Sequence, residues 1–203
     1  MRYLKVPVMA LLSLLFAGKV SAQASHKKAL LIIDVQNDYF KGGKMELSEP
    51  DVAAANISLI LAESRKKGIP VIHVQHAATE GFLVANTTGA EIHASVRPVA
   101  GEKIITKHYP NSFRETTLAE YLKAAGITDL VITGMMTHAC VDATTRAAKD
   151  LGFNCTVIAD ACATRDLEVN HQLVPAAEVQ RSLMGALAFY YAAIVNTKEY
   201  LNR

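Results

Sequence analysis

Six short apolar runs alternate with amphipathic stretches between residues 29 and 195, and this alternation constrains the fold more than any other feature. The first run, residues 29–35 (ALLIIDV), is continuously apolar, the pattern of a strand covered on both faces. Residues 69–74, 103–106, 130–133, 156–159 and 192–195 read as five further strands. Between the first two, Ser48-Glu-Pro-Asp51 offers a cap, a first-turn proline and an acid, and Lys66-Lys67-Gly68 a basic last turn with a glycine stop. Ser112-x-x-Glu115 reads as the cap of a helix striped by Leu118, Leu122 and Ala125 and stopped at Gly126. Val141, Thr144, Ala148 and Leu151 stripe the next helix, which stops at Gly152. Pro175 opens a last one bearing Val179, Leu183, Leu187 and Tyr190 on one face. Buried strands alternating with helices predict an α/β fold, a parallel sheet with helices on both faces. Residues 77–102 break the rhythm and read as a functional lid or contact arm.

The N-terminus does not join this pattern. Arg2 and Lys5 precede an apolar run of about 13 residues, followed by Val20-Ser21-Ala22-Gln23-Ala24. Positive, apolar, then small-x-small is the order of a secretory signal, and the run falls short of the roughly 20 residues a spanning helix needs. Residues 1–22 are therefore expected to be a signal peptide, cut after Ala22 or else Ala24, with 23–203 a single exported domain, secreted or periplasmic. Removing Arg2, Lys5 and Lys19 from the 21 bases leaves 18 against 19 acids. That near-neutral balance argues against a nucleic-acid partner, and against a membrane partner once the signal is gone. A chain that is 51% hydrophobic can bury a core, and three cysteines do not make a disulfide scaffold.

Export sharpens the question of the thiols. Cys155 and Cys162 bracket the fifth strand; seven residues at ~3.3 Å each hold them roughly 23 Å apart, against a bridging limit near 7 Å. Cys140 could pair with Cys162 only if the fold brought them together. At least one thiol stays unpaired in a compartment that disfavours it.

In open parallel sheets, ligands bind beyond the C-terminal strand ends. Those ends collect Asp34, His76, Lys107, Gly134–Cys140, Asp160 and Cys162. An acid, an amine and a thiol from different strands suit nucleophilic acyl transfer: the thiol attacks, the carboxyl group moves the proton, and the cation favours negative charge on sulfur. Cys140 is expected in the first turn of a helix, where the dipole would lower its pKa.

These residues resemble the isochorismatase-like cysteine hydrolases, which include nicotinamidase-related amidases. The resemblance lies in Leu31-Ile-Ile-Asp-Val-Gln-Asn-Asp-Tyr-Phe40, in Ile104-Ile-Thr-Lys107 with Ser112-Phe113, in Gly134-Met-Met-Thr-His-Ala-Cys-Val-Asp142, and in Val157-Ile-Ala-Asp-Ala-Cys162. It implies a three-layer, doubly wound sheet of six strands in the order 3-2-1-4-5-6. It also implies a catalytic triad of Asp34, Lys107 and Cys140, a cis peptide at Met135–Met136, and an oxyanion hole of the Met136 and Cys140 N–H groups. Gln36, Phe40, Tyr109, Phe113 and His138 adjoin these motifs and are expected to line the pocket. The activity implied is hydrolysis of a C–N bond in a small carboxamide or cyclic amide through a Cys140 thioester, by a homo-oligomer, with no cofactor.

Plainer readings stand beside this one. Asp34 could be a structural acid, Lys107 a solvated strand-end lysine and Cys140 a small core residue; Cys162 reads as structural. His73 and His76, three apart on a strand, face opposite ways, and no Asp lies between Asp51 and Asp129. The nicotinamidase metal set is thus incomplete, no metal is expected, and His73, His76 and His93 read as structural or pocket residues. The presence of Cys140 argues against isochorismatase-type ether hydrolysis. The alternatives are a catalytically silent small-ligand-binding or oligomer-forming module of the same fold, or that ether hydrolysis.

Overall fold

The computed structural model describes residues 27–203; the expected signal peptide lies outside them. The strands are β1 (Lys28–Ile33), β2 (Val71–His76), β3 (Lys103–Lys107), β4 (Asp129–Met135), β5 (Asn154–Ala163), β6 (Leu167–Val169), β7 (Gln172–Val174) and β8 (Ala193–Val195). The helices are α1 (Pro50–Lys66), α2 (Leu118–Ala124), α3 (Asp142–Asp150), α4 (Ala176–Tyr190) and α5 (Thr197–Leu201). Six strands form one all-parallel sheet in the order β3-β2-β1-β4-β5-β8. The doubly wound order implied by the resemblance is the order found, with β8 as the sixth strand of the sheet.

The continuous apolar run of β1 is split between the two faces. Leu30 and Ile32 pack with Ala53, Ile57, Ile60 and Leu61 of α1, whereas Ala29, Leu31 and Ile33 pack with Leu118 and Leu122 of α2, Ala148 of α3 and Leu187 of α4. Successive side chains of a strand point to opposite faces, so a central strand must be apolar at every position. Two cores sandwich the sheet, and β1 sits at the middle with β2 on one side and β4 on the other.

Local departures from the sequence reading have physical causes. Glu49, not Ser48, precedes α1, in a left-handed conformation with φ of 51° and no side-chain cap. Ser112 does not cap α2, which begins six residues later at Leu118. Its hydroxyl is buried and bonds Thr144 Oγ1 of α3 at 2.8 Å. Tyr190 ends the α4 stripe in solvent, 64% exposed. Strand β5 runs four residues beyond the expected end, through a register shift against β4, so Asp160 and Cys162 lie within it. An unexpected hairpin, β6–β7, follows. Its turn residues Asn170 and His171 have φ of 51° and 62°, the two positive values of a type I′ turn, but without the usual glycine signal.

Segment 77–102 is packed down rather than open. Leu83 and Val96 are fully buried. Asp38 Oδ2 accepts from Leu83 N at 2.6 Å, Asn37 Nδ2 donates to Thr88 O at 2.8 Å, and His93 N donates to Val35 O at 2.8 Å. The residues just after β1 hold this long connection against the ends of the central strands.

Candidate active site

Strand order reverses between β1 and β4, the place where open α/β sheets form a crevice. Asp34 directly follows β1, Lys107 closes β3, and Cys140 sits in a single π-helical turn, Thr137–Val141, between β4 and α3. The backbone here is unusual on both sides of the switch. Asp34 has φ of 50°, Gly134 has φ of 127°, and the Met135–Met136 peptide is cis. Non-glycine residues at positive φ are uncommon and gather at functional sites.

The three side chains implied as a triad meet around one ammonium group. Lys107 Nζ lies 2.6 Å from Asp34 Oδ2 and donates to Cys140 Sγ at 3.3 Å and to His76 Nδ1 at 3.1 Å. The Asp34 contact is a close ion pair without hydrogen-bond alignment, since neither Asp34 oxygen has a well-directed partner. Asp34 and Lys107 are completely buried and Cys140 nearly so. Burial alone would lower the Lys107 pKa, but the charge of Asp34, with Cys140 behind it, outweighs burial and raises it. The amine is held as a cation.

The thiol overturns the sequence-based expectation. Burial, and then the Asp34 carboxylate, push the Cys140 pKa well above the ordinary thiol range, against the opposing pull of Lys107. A π turn replaces the expected first turn of an α-helix. The resting site therefore pairs a charged Asp34–Lys107 couple with a neutral thiol. Iodoacetamide at pH 7 is expected to alkylate Cys140 more slowly than an exposed cysteine, with a rate still climbing above pH 9. A plateau reached below neutrality, measured by peptide mass against time, would contradict this.

The expected pocket residues are engaged in several ways. Gln36 is fully buried and used as a strut: its amide donates to His76 O at 2.9 Å and Ala90 O at 2.7 Å and accepts from His76 N at 2.8 Å. Phe40 stacks on His93 at 3.7 Å between centroids. The Arg114 guanidinium covers Tyr109 at 3.6 Å, and Phe113 stacks on Phe153 at 6.0 Å. His138 Nδ1 lies 2.6 Å from Thr164 Oγ1; burial, and then Arg165, lower its pKa. Asp160 serves α5, accepting from Thr197 N and Oγ1 at 2.8 Å each. All three cysteines are free. A cavity of about 480 Å³ lies instead beside the end of β5, lined by Val52, Ala159, Cys162, Thr164, Arg181 and Met184 among others. The Gln180–Thr137 hydrogen bond, 2.7 Å, links its wall to the π turn. His76 is the residue whose place the sequence undervalued. Its position as the last residue of β2 was the available signal.

The family model described as the isochorismatase domain matches residues 28–179. The chain belongs to the isochorismatase family. An uncharacterized isochorismatase family protein of Bacillus subtilis, YddQ, is 48% identical over 177 residues, covering 85% of this chain and 98% of its own. The secreted isochorismatase effector Isc1 of Verticillium dahliae is 32% identical, covering 88% and 93%. A streptothricin hydrolase of Streptomyces noursei is 34% identical, covering 79% of this chain and 59% of that protein. A solved isochorismatase hydrolase from Oleispira antarctica superposes with a TM-score of 0.86 at 46% identity, over 88% of this chain and 98% of that one. This isochorismatase-family chain thus belongs to a family of hydrolases. Among its described residues, no group of three or more His, Cys, Asp and Glu side chains could hold a metal ion.

Proposed function

We propose that this protein hydrolyses a C–N bond of a small carboxamide or cyclic amide through a Cys140 thioester. The observation that carries this reading is the single buried ammonium of Lys107 touching both Asp34, at 2.6 Å, and Cys140, at 3.3 Å. A neutral thiol beside a carboxylate suits attack in which the proton leaves as the new bond forms. Asp34 takes the Sγ proton as sulfur attacks the carbonyl carbon. The Met136 and Cys140 N–H groups hold the oxyanion, an arrangement typically worth about 2.7–4 kcal/mol of barrier per donor. The C–N bond then breaks, and Asp34 returns its proton to the departing ammonia or amine. Water attacks the thioester with Asp34 as base, releasing the acid and restoring the thiol. Lys107 keeps its proton throughout and balances whichever of Asp34 and sulfur is negative.

The hydrolase relatives, one of them a streptothricin hydrolase, support C–N chemistry in this family. Export of the protein is part of the proposal. It rests on the signal pattern of residues 1–22 and on the similarity to Isc1, a secreted effector.

Intact-mass spectrometry with a panel of small carboxamides tests the reading. The wild type is expected to gain an acyl mass or release ammonia, and Cys140→Ala to do neither. Neither signal from the wild type would leave the silent binding module as the answer.

A further inference from the structure

The ammonium of Lys107 has three contacts, and the proposed mechanism uses two of them. The third, to His76 Nδ1 at 3.1 Å, has full hydrogen-bond geometry, as the Cys140 contact does. An ammonium has no lone pair, so the ring nitrogen must be the acceptor. That requires a bare Nδ1 and places the ring proton on Nε2.

We infer that His76 is a positioning residue of the triad, a neutral Nε2–H imidazole whose Nδ1 accepts from Lys107 and aims the ammonium at Cys140. The inference rests on the proposed amidase reading and adds a component to the same site.

The architecture supports it from two sides. His76 closes β2, Lys107 closes β3, and the two are register partners on neighbouring parallel strands, so their side chains leave the sheet together. The His76 backbone is clamped at both ends by Gln36, whose other amide hydrogen holds Ala90 of the long connection. A buried strut with every donor engaged thus fixes the histidine that directs the lysine. Without an acceptor at Nδ1, one N–H of a fully buried cation would be left without a partner, and the ammonium would turn to find one.

Protonation of His76 would undo this arrangement. The charged and titratable groups facing it are Lys107 and His108 at the end of β3, Asp34 beyond β1, and Cys140 across Lys107. Burial first and Lys107 second lower its pKa, with His108 adding to them and Asp34 opposing. His76 is therefore neutral at pH 7. In acid it gains a proton, loses its acceptor and sets a second cation 3.1 Å from Lys107.

The test uses the full chain and needs no known substrate. In ¹⁵N-labelled protein at pH 7, long-range proton–nitrogen correlation is expected to show His76 as the Nε2–H tautomer, assigned by its loss in His76→Asn. An Nδ1–H or doubly protonated ring at pH 7 overturns the inference. Iodoacetamide alkylation of Cys140, read by peptide mass between pH 4.5 and 8, supplies the functional arm. The wild-type rate should fall with two protons at the acid end. His76→Asn keeps an acceptor without the titration, so it should stay within about threefold of wild type and fall with one proton. His76→Leu should be slower by about ten- to a hundredfold at pH 7. Equal rates for the two variants, or a two-proton limb in His76→Asn, overturn the inference. Failure of the amidase reading is a separate event: no acyl mass and no ammonia, while His76 still shows the expected tautomer.

Discussion

Asp34→Asn is expected to lower unfolding stability by about 3–5 kcal/mol, and adding Lys107→Met to restore most of the loss. Both side chains are fully buried and their charges are 2.6 Å apart. Asparagine is the right substitute because it tolerates the positive φ of 50° at this position better than an apolar residue would. It keeps the shape but removes the counter-charge, leaving an ammonium in the core. Removing one partner of a buried pair strands the other, whereas removing both leaves no charge to strand. Lys107→Met alone should cost a similar amount by stranding the carboxylate. Denaturant midpoints at pH 7 for the four proteins close the cycle; if the double variant is as unstable as the singles combined, the pair is not coupled. All three variants are expected to be inactive, so recovered stability would come without recovered chemistry. The pH dependence has a definite sign. The Lys107 pKa is raised, so the lysine's contribution to stability is complete below the ordinary lysine range and is lost as pH rises from there through the folded value.

Much of this site was legible in the sequence because the fold delivers strand ends to one place. Asp34, Lys107 and Cys140 follow or end three different strands, and the apolar run of β1 and the glycine stops located those strands. What stayed hidden depends on three-dimensional neighbours. The neutral state of Cys140 is set by burial and by Asp34, 106 positions away in the chain, so helix position alone pointed the wrong way. Gln36 reads as a polar pocket residue until its amide is seen to be used up by His76 and Ala90. The β6–β7 hairpin escaped notice because Asn170-His171 turns the chain without glycine. His76 was visible as a strand end, but its meaning depends on the register pairing with Lys107, which no local pattern supplies.

Gly134→Ala should be the most damaging glycine-to-alanine substitution among the described residues, on the order of 4 kcal/mol from a steric and a backbone cost together. Gly134 pairs with Ile33 across the β1–β4 switch point. A Cβ there would stand 2.0 Å from Ile33 O and 2.7 Å from Ile33 N. Those are backbone atoms of a central strand, so no rotamer change relieves the clash. The φ of 127° adds strain for any side chain. Two other glycines isolate the contributions. Gly126 has φ of 68° with nothing near its Cβ position, so Gly126→Ala should cost only the left-handed penalty, about 1–2 kcal/mol. Gly185 lies within α4 with open space around it, so Gly185→Ala should stabilise by about 0.5–1 kcal/mol. Denaturant midpoints that rank the three variants in that order would support the assignment; a Gly134→Ala protein no weaker than Gly126→Ala would show that β1 and β4 can move apart. The same displacement would shift Asp34, one residue beyond Ile33, and Met136, two beyond Gly134. Any Gly134→Ala protein that still folds should therefore lose activity out of proportion to its stability, because β1 and β4, which the added methyl would force apart, lead directly into the proposed base and the proposed oxyanion donor.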